Sequence, residues 1–335
     1  MPPTATDPLA SAASAPPLAA SYAFGLDLEA GFPLDGLPPG ARPDAGAEPT
    51  RLELSDPGEL RRAGSESVTL ADWADQEDAW QLDHHPELGY VLRTDVYGTF
   101  AISDDGRRVR CAPPAGEGRG WQHCLRGQVL PFAALLRGFE TFHASAVALD
   151  GRALAFAGRS TAGKTSVAVN LLLRGAELVT DDVLALEPGD GRPLAHPGAA
   201  VVSLRHSEAA VLGGRARPLG SVLEDDGEAT RLLAPRCQAP LPLAALYVLQ
   251  RDEAPGAGTN GVAIESIDPP DPRLLLSASF NFVVRSPERL RNQLEVCSRL
   301  AAEVPVFRLR SGPGFSAADV AEAVERHART LEAAR

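Results

Sequence analysis

One short run of residues constrains the fold more than any other feature, because it fits the pattern G-x-x-x-x-G-K-[ST] at every fixed position. The run is Gly158, Arg159, Ser160, Thr161, Ala162, Gly163, Lys164 and Thr165. In this pattern the glycines let the backbone curl so that its N–H groups point at phosphate oxygens, the lysine neutralises charge and the hydroxyl holds Mg²⁺. The run, with Ser166 directly after it, therefore predicts a site for a nucleoside triphosphate.

The residues on either side of the run have the character that such a loop requires. The apolar stretch 153–157 is typical of a buried strand, and 166–174 carries apolar residues at helical spacing. Lys164 is also the single lysine of a chain whose other basic residues are all arginine, which indicates a need for a compact ammonium. The alternative, a glycine-rich turn that fits the pattern by chance, is disfavoured by the order strand, loop, helix.

Composition excludes several classes of protein. A chain of 335 residues with a net charge of -12 lacks the clustered positive charge that a nucleic-acid or anionic-membrane surface needs. No apolar run is long enough to span a membrane, and no basic residue precedes Arg42 as it would in a secretory signal, so we expect a cytoplasmic protein. The cysteines have no C-x-x-C spacing and are interpreted as reduced structural thiols: Cys111, Cys124, Cys237 and Cys297.

The chain divides into three parts by composition. Residues 1–50 are rich in Ala and Pro and are predicted to be largely disordered, although 22–28 could form a strand. Residues 51–125 read as a small β-rich region, with strands near 90–93 and 97–102. Residues 126–335 form the predicted core, which contains the loop and ends in helices.

Two features next to the loop extend the predicted site. The stretch 142–149 reads as a strand that turns at Asp150-Gly151 and returns into the loop strand, so a β-hairpin and a mixed sheet are predicted. Asp181 and Asp182 follow an apolar strand beyond the loop helix and could face its Mg²⁺. The alternative interpretation is that the two aspartates belong to a solvent-exposed turn and do not bind a metal.

The block 130–187 resembles the HPr serine kinase/phosphorylase-like proteins, which share a nucleotide core with phosphoenolpyruvate carboxykinases. The resemblance is carried by 142–145, the hairpin, the loop, the stretch 172–179 and the aspartate pair. It is closest to the shorter HPr-kinase-related proteins, some of which phosphorylate a serine of a lasso-type precursor peptide. It implies an α/β fold with a P-loop core and a mixed sheet, preceded by a small β-rich region.

The resemblance also implies roles for individual residues. Lys164 and the backbone of 158–165 would hold the phosphates of ATP, and Thr165 would ligate Mg²⁺. Asp181 would be the general base for a hydroxyl and Asp182 would assist the metal, although these two roles could be exchanged. His143 would lie near the transferred phosphoryl group, the alternative being a structural histidine on a buried strand.

The implied activity is an ATP- and Mg²⁺-dependent kinase that phosphorylates a serine or threonine of a peptide or protein, for example a biosynthetic precursor peptide. The alternatives are a small-molecule kinase and a nucleotide-binding regulatory or assembly protein without transfer activity. Ser166 stands where HPr enzymes carry an acidic residue, and their second signature has no match, so neither phosphorylase activity nor HPr as substrate is implied. A transition-state arginine could come from four positions, but in a chain so rich in arginine a packing or surface role is favoured for each of them: Arg285, Arg289, Arg291 and Arg308.

Overall fold

The computed structural model describes residues 19–40, 48–62, 66–74, 78–116, 118, 120–187, 191–251, 261–280, 283–312 and 314–333. The strands are β1 (Ala19–Ala23), β2 (Leu26–Ala30), β3 (Thr50–Leu54), β4 (Val68–Ala74), β5 (Ala79–His85), β6 (Gly89–Thr94), β7 (Gly98–Ile102), β8 (Arg108–Ala112), β9 (Glu140–Leu149), β10 (Arg152–Ala157), β11 (Glu177–Thr180), β12 (Val183–Glu187), β13 (Leu194–His196), β14 (Val201–Arg205), β15 (Val222–Asp225), β16 (Ala229–Leu233), β17 (Leu241–Arg251), β18 (Val262–Ser266) and β19 (Val306–Ser311). The helices are α1 (Pro57–Arg62), α2 (Trp121–Cys124), α3 (Leu130–Leu136), α4 (Lys164–Leu172), α5 (His206–Leu212), α6 (Pro272–Leu276), α7 (Pro287–Glu303) and α8 (Ala317–Ala333). A π-helical turn, Leu125–Val129, joins α2 to α3.

The first sheet has eight strands in the order β1-β2-β3-β8-β7-β6-β5-β4. One face packs on α2, the π turn and α3 through a cluster that includes Leu52, Phe100, Val109, Leu125 and Leu130. The strands expected near 90–93 and 97–102 are confirmed as β6 and β7. Helix α1 packs on the same sheet through Leu60, which contacts a second cluster formed by Val91, Ala101 and Ala112. The β-rich region is therefore a layer of sheet with short helices packed against it.

The prediction for the N-terminal segment is partly wrong. Residues 1–18 and 41–47 lie outside the described residues, but β1 and β2 form an antiparallel pair and extend the first sheet. In β2 buried and half-buried residues alternate, with Leu26 and Leu28 in the core. Such alternation is typical of a strand with one face on a core. It is difficult to recognise in the sequence because the surrounding segment is rich in Ala and Pro.

The second sheet is mixed, as predicted, and the α/β class is confirmed. Its strands run β10-β9-β12-β13-β17-β19-β18, and β11 adds to β9. The predicted hairpin is present, because β10 is antiparallel to β9 across the turn at Asp150-Gly151. β10 is also parallel to β17, and β17 to β19, so the carboxyl ends of these three strands lie at one edge of the sheet.

Helices cover both faces of the second sheet. On one face α4 and α8 pack on a row of stacked rings formed by Phe156, Tyr247 and Phe307. On the other face α6 and α7 cover Leu184, Leu246 and their neighbours. A small sheet, ordered β14-β16-β15, stands beside α4 and α5. Among the described residues, no helix has the length and apolar character needed to cross a membrane.

Several smaller expectations can be compared with the structure. The four cysteines are free and buried, as expected. Of the adjacent histidines, His84 is at the surface beside Asp104, whereas His85 is buried. Its imidazole nitrogen accepts from the backbone N–H groups of Glu87 and Leu88.

Candidate active site

Strand β9 is the element that brings the candidate residues together. On one side its Ala144 pairs with Ala157, the last residue before the loop 158–165. On its other side β11 pairs up to Ala146 and β12 starts at His143, so Asp181 and Asp182 interrupt the pairing opposite the loop. Interruptions of this kind re-aim side chains next to functional sites. The aspartates thus lie across one strand from the loop.

The loop has a backbone that only certain residues tolerate. Gly158 has φ of 148°, and a Cβ there would lie 2.9 Å from the carbonyl oxygen of Leu249. Gly163 has φ of 95° with open space around it, so its requirement is conformational rather than steric. Thr161 is also left-handed, with φ of 68°. The loop therefore holds a strained turn between β10 and α4.

Lys164 folds back over the loop. Its Nζ donates hydrogen bonds to the carbonyl oxygens of Gly158, at 3.1 Å, and Arg159, at 3.3 Å. Burial lowers the pKa of Lys164, while the charges of Asp182 and Asp181 act in the opposite direction. The ammonium is thus held over the first residues of the loop and within the field of both carboxylates.

Asp181 is the inner carboxylate. Its Oδ1 accepts from Ser145 Oγ at 2.7 Å and Thr165 Oγ1 at 2.8 Å, and its Oδ2 accepts from the backbone N–H of Ser203 at 3.0 Å. Burial raises the pKa of Asp181 more than these hydrogen bonds lower it. Three separate elements, β9, α4 and β14, therefore contact this carboxylate, which lies against the hydroxyl that ends the loop.

Asp182 is the outer carboxylate and is exposed. Its Oδ1 lies 3.3 Å from Nδ1 of His143, which is itself about two-fifths exposed. The backbone at Asp182 is left-handed, with φ of 77°, which costs a non-glycine residue about 1 kcal/mol or more. This turn directs the two neighbouring aspartates into different surroundings, one towards Thr165 and the other towards His143.

Ser166 has a partner outside the loop region. Its hydroxyl contacts a carboxylate oxygen of Glu208, whose other oxygen accepts from the backbone N–H of Arg205 at 3.2 Å and caps α5. A carboxylate from α5 thus occupies the space beside position 166.

A cleft of about 820 Å³ opens in front of these residues. We call the side formed by the loop, His143 and the aspartates the near wall. The far wall is formed by residues of the β1–β2 turn, α2, the π turn and the small sheet, among them Phe24, His123, Arg126 and Arg231. The cleft therefore lies where several separate elements meet, which is a common place for a ligand.

The cations of the far wall are matched by carboxylates. Arg126 donates to the Asp35 carbonyl oxygen at 3.0 Å and to Glu224 Oε2 at 3.4 Å. Arg231 donates to Asp226 Oδ2 at 2.6 Å. Burial, assisted by Arg231 and Arg126, lowers the pKa of His123 to about 4.

Backbone irregularities concentrate around the cleft. The described residues include four non-glycine residues with left-handed φ, and three of them line the cleft: Phe24, Thr161 and Asp182. The π-helical turn contributes Arg126 and Gly127 to its lining. Strained backbone and π turns are both found preferentially at functional sites.

Two smaller cavities lie at opposite ends of the loop. A cavity of about 290 Å³ borders Ala162, Gly163 and Ser166 and continues to Phe315, at the carboxyl ends of β17 and β19. A second, of about 550 Å³, borders Gly158, Arg159 and Ser160. We call them the α8-side pocket and the apolar pocket.

Of the residues singled out in the sequence, the structure brings Ser160, Thr161, Gly163, Lys164, Thr165, Ser166, His143, Asp181 and Asp182 to the cleft. Among the four candidate arginines, Arg289 forms a buried ion pair with Glu140 at 2.6 Å, and Arg308 lies near Glu265. Both therefore have structural partners.

Sequence reasoning missed several residues that line the cleft or hold its side chains in place. Ser145 lies in the resembling block but had no role assigned. Ser203 contributes a backbone N–H, which leaves no mark in the sequence, and Glu208, Arg126 and Arg231 come from segments without a motif.

No family model and no curated protein matches the sequence. Among solved structures, the chain is similar to the Hpr(Ser) kinase/phosphatase from Coxiella burnetii, with 13% sequence identity and a TM-score of 0.33, over 58% of this chain and 93% of that chain. A likeness this distant assigns neither an activity nor a substrate to the chain.

Proposed function

We propose that the chain is an ATP- and Mg²⁺-dependent kinase that transfers the γ-phosphoryl group to a serine or threonine hydroxyl of a peptide or protein. The observation that carries the proposal is the division of labour between adjacent carboxylates: Asp181 contacts the Thr165 hydroxyl at 2.8 Å, while Asp182 stands 3.3 Å from His143. A module that only binds nucleotide needs the loop, whereas transfer also needs a proton acceptor beside the γ-phosphate.

The loop supplies the phosphate contacts. In loops of this pattern the backbone N–H groups hold the α- and β-phosphates and the lysine reaches the β- and γ-phosphates. Because Lys164 Nζ rests on the carbonyl oxygens of Gly158 and Arg159, the γ end of a triphosphate would lie over the first residues of the loop. The nucleoside would extend the other way, past Ser166 towards the α8-side pocket.

The residues fit a Mg²⁺ ion at Thr165 and Asp181. Mg²⁺ prefers oxygen ligands and is usually held by one or two carboxylates together with substrate phosphates and water. The Thr165 hydroxyl and the Asp181 carboxylate are already in contact, and the carboxylate is fixed by Ser145 and Ser203. When bound there, the metal would supply neutralisation of phosphate charge. This assigns Asp181, rather than Asp182, to the metal.

Asp182 is then the general base. It is exposed at the mouth of the cleft, where an acceptor hydroxyl can reach it, and His143 holds its carboxylate in place. As the acceptor oxygen bonds to the γ-phosphorus, the bond to the β–γ bridging oxygen breaks and the acceptor proton passes to Asp182. Lys164 stabilises the charge that develops on the phosphoryl oxygens.

The test is transfer of label from γ-labelled ATP to candidate acceptors, starting with peptides encoded by neighbouring genes. We expect phosphoserine on a peptide, loss of ATP binding in Lys164→Ala, and loss of transfer with retained ATP binding in Asp182→Asn. Normal ATP binding by Lys164→Ala would refute the proposed phosphate site. Labelling of a metabolite would assign a small-molecule kinase, and ATP binding without transfer to any acceptor would assign a regulatory nucleotide-binding protein.

A further inference from the structure

The apolar pocket is built differently from the cleft. It lies between the second sheet and the helices α6 and α7, and its inner walls are aliphatic. They are formed mainly by Leu184, Leu186, Leu243, Leu246, Leu275 and Leu300. Its volume of about 550 Å³ falls within the range of about 300–1,000 Å³ that is typical of pockets for organic ligands.

A space of this size is not ordinary packing. Protein cores are close-packed and hold few voids larger than a water molecule. A cavity of roughly 150 Å³ lined by Leu, Ile and Phe already stays dry and binds benzene. The apolar pocket, at about 550 Å³, is several times larger and its wall is unsuited to water. The pocket is therefore suited to an apolar group of a ligand.

The position of the pocket's opening, or mouth, indicates which part of a ligand would enter the pocket. Gly158, Arg159 and Ser160, the first residues of the loop, form part of the mouth, and His143 stands beside them. His143 and Ser160 also line the cleft, so the two spaces share a border. The Lys164 ammonium rests on the carbonyl oxygens of the same first residues, which is where the γ end of a triphosphate would lie. The pocket thus opens on the acceptor side of the loop.

The mouth is polar although the interior is apolar. Arg159 and Arg308 are exposed there, together with Ser277 at the end of α6. An occupant that suits both parts carries an apolar group on a polar main chain that stays in water, and a peptide side chain has this form. A bare hydrocarbon would satisfy the interior but not the mouth.

We propose that the apolar pocket binds a large apolar side chain next to the acceptor serine of a peptide substrate, and so selects the serine that is phosphorylated. The inference rests on the proposed kinase function, because it takes the cleft as the place of transfer. It adds a substrate class: serine peptides with an adjacent Leu, Ile, Phe or similar residue.

The test compares short acetylated serine peptides that differ only in the flanking residues, Leu in one and Gln in the other. Binding to the full chain is measured with a non-hydrolysable ATP analogue present, and transfer is measured with labelled ATP. We expect the Leu peptide to bind at least about ten times more tightly, since one buried Leu side chain contributes at least that factor.

Two tryptophan substitutions locate the effect. Ser277→Trp places a ring at the mouth of the pocket, whereas Ser298→Trp places one on the exposed side of α7. The serines are matched, because each is exposed and each donates its hydroxyl to a helix carbonyl oxygen at 2.7 Å, on Leu274 and Leu294 respectively. We expect Ser277→Trp to abolish the preference for Leu and to leave ATP affinity unchanged, and Ser298→Trp to change neither.

Each remaining outcome has a defined meaning. Equal binding of the Leu and Gln peptides, or a preference that survives Ser277→Trp, overturns the pocket assignment, even if serine transfer itself is observed. Binding of n-octanol but of neither peptide overturns the peptide as occupant. A preference that Ser277→Trp removes, without transfer to any peptide, supports the pocket and refutes the kinase function, so the two failures are distinguishable.

Discussion

The two walls of the cleft carry similar residues in opposite states. On the far wall Arg126 and Arg231 each donate to a carboxylate, Glu224 and Asp226 respectively. On the near wall Lys164 donates to two backbone carbonyl oxygens of its own loop. Charges that are already matched hold a structure together, whereas a charge held by its own backbone can turn towards a ligand.

The histidines of the two walls also differ in their surroundings. His123 on the far wall is partly buried beside Arg231 and Arg126, and its pKa is lowered to about 4, so it is neutral at pH 7. His143 on the near wall is half-buried and borders Asp182. Under the proposed function, the near wall would carry out the chemistry and the far wall would stabilise the structure. Substitutions on the near wall should therefore change the rate of phosphoryl transfer, and substitutions on the far wall should change the free energy of unfolding.

The largest effect is expected for Lys164→Ala on the near wall. Removal of the ammonium should lower the rate of phosphoryl transfer about a thousandfold, or about 4 kcal/mol, because one preorganised charge at a transferring group contributes on this scale. The melting temperature should change little, since the lost hydrogen bonds lie within the loop. Lys164→Arg is the matched variant, and it should recover little, because a guanidinium cannot take the same position. Full activity of Lys164→Ala would remove the distinction between the walls.

Asp182→Asn should have the next largest effect. We expect transfer to fall by a factor of about 10²–10³, the usual contribution of a general base, with ATP affinity nearly unchanged. Asp225→Asn is a suitable control, because Asp225 also pairs with an exposed histidine, His206, at 3.1 Å, away from the lining of the cleft. It should retain full activity. If Asp181→Asn lost transfer with normal Mg²⁺ dependence and Asp182→Asn did not, the two roles would be reversed.

The near wall is the part that the sequence predicts well, for a physical reason. The loop, the hairpin and the aspartate pair come from one continuous stretch, and local patterns determine such stretches. The different surroundings of Asp181 and Asp182, on which their proposed roles rest, could not be predicted. They depend on a left-handed backbone at Asp182 and on Ser203 from a distant strand.

The far wall has no such local pattern. Its residues come from separate places in the chain, and Arg126 is one arginine among many until the fold sets it beside Glu224. For a similar reason the sequence indicated only one possible strand over 22–28 where the structure has β1 and β2, since their alternation is short and lies within an Ala- and Pro-rich segment. Ion pairs between distant elements can be identified only when the three-dimensional positions of those elements are known.

Arg126→Ala tests the structural role of the far wall. It removes the hydrogen bonds that Arg126, itself almost fully buried, donates to Glu224 and to the Asp35 carbonyl oxygen. We therefore expect a loss of about 2–3 kcal/mol in the free energy of unfolding, measured by urea denaturation. Arg299→Ala is the control, because Arg299 pairs with Glu295 on the surface of α7 and should cost below about 0.5 kcal/mol. ATP affinity of the folded Arg126→Ala protein should be normal. A stable Arg126→Ala protein with weakened ATP binding would instead assign this arginine to the ligand.

The smallest effect is expected from the titration of His123. Its folded pKa of about 4 lies below the ordinary histidine value of 6.5, mainly because of burial and also because of Arg231 and Arg126. Between these two values the unfolded chain binds a proton that the folded protein does not, so stability falls as the pH falls from about 6.5 to about 4. We expect His123 to contribute about 2 kcal/mol to this loss.

His123→Gln removes this titration and should flatten the profile of unfolding free energy between pH 6.5 and pH 4.5. His206→Gln is the control, because His206 is half-exposed and paired with Asp225, and its loss should leave the steep acid side in place. An unchanged slope in His123→Gln would mean that this histidine takes up its proton in the folded protein. The far wall would then hold a charge that responds to pH and could act on a ligand, as the near wall does.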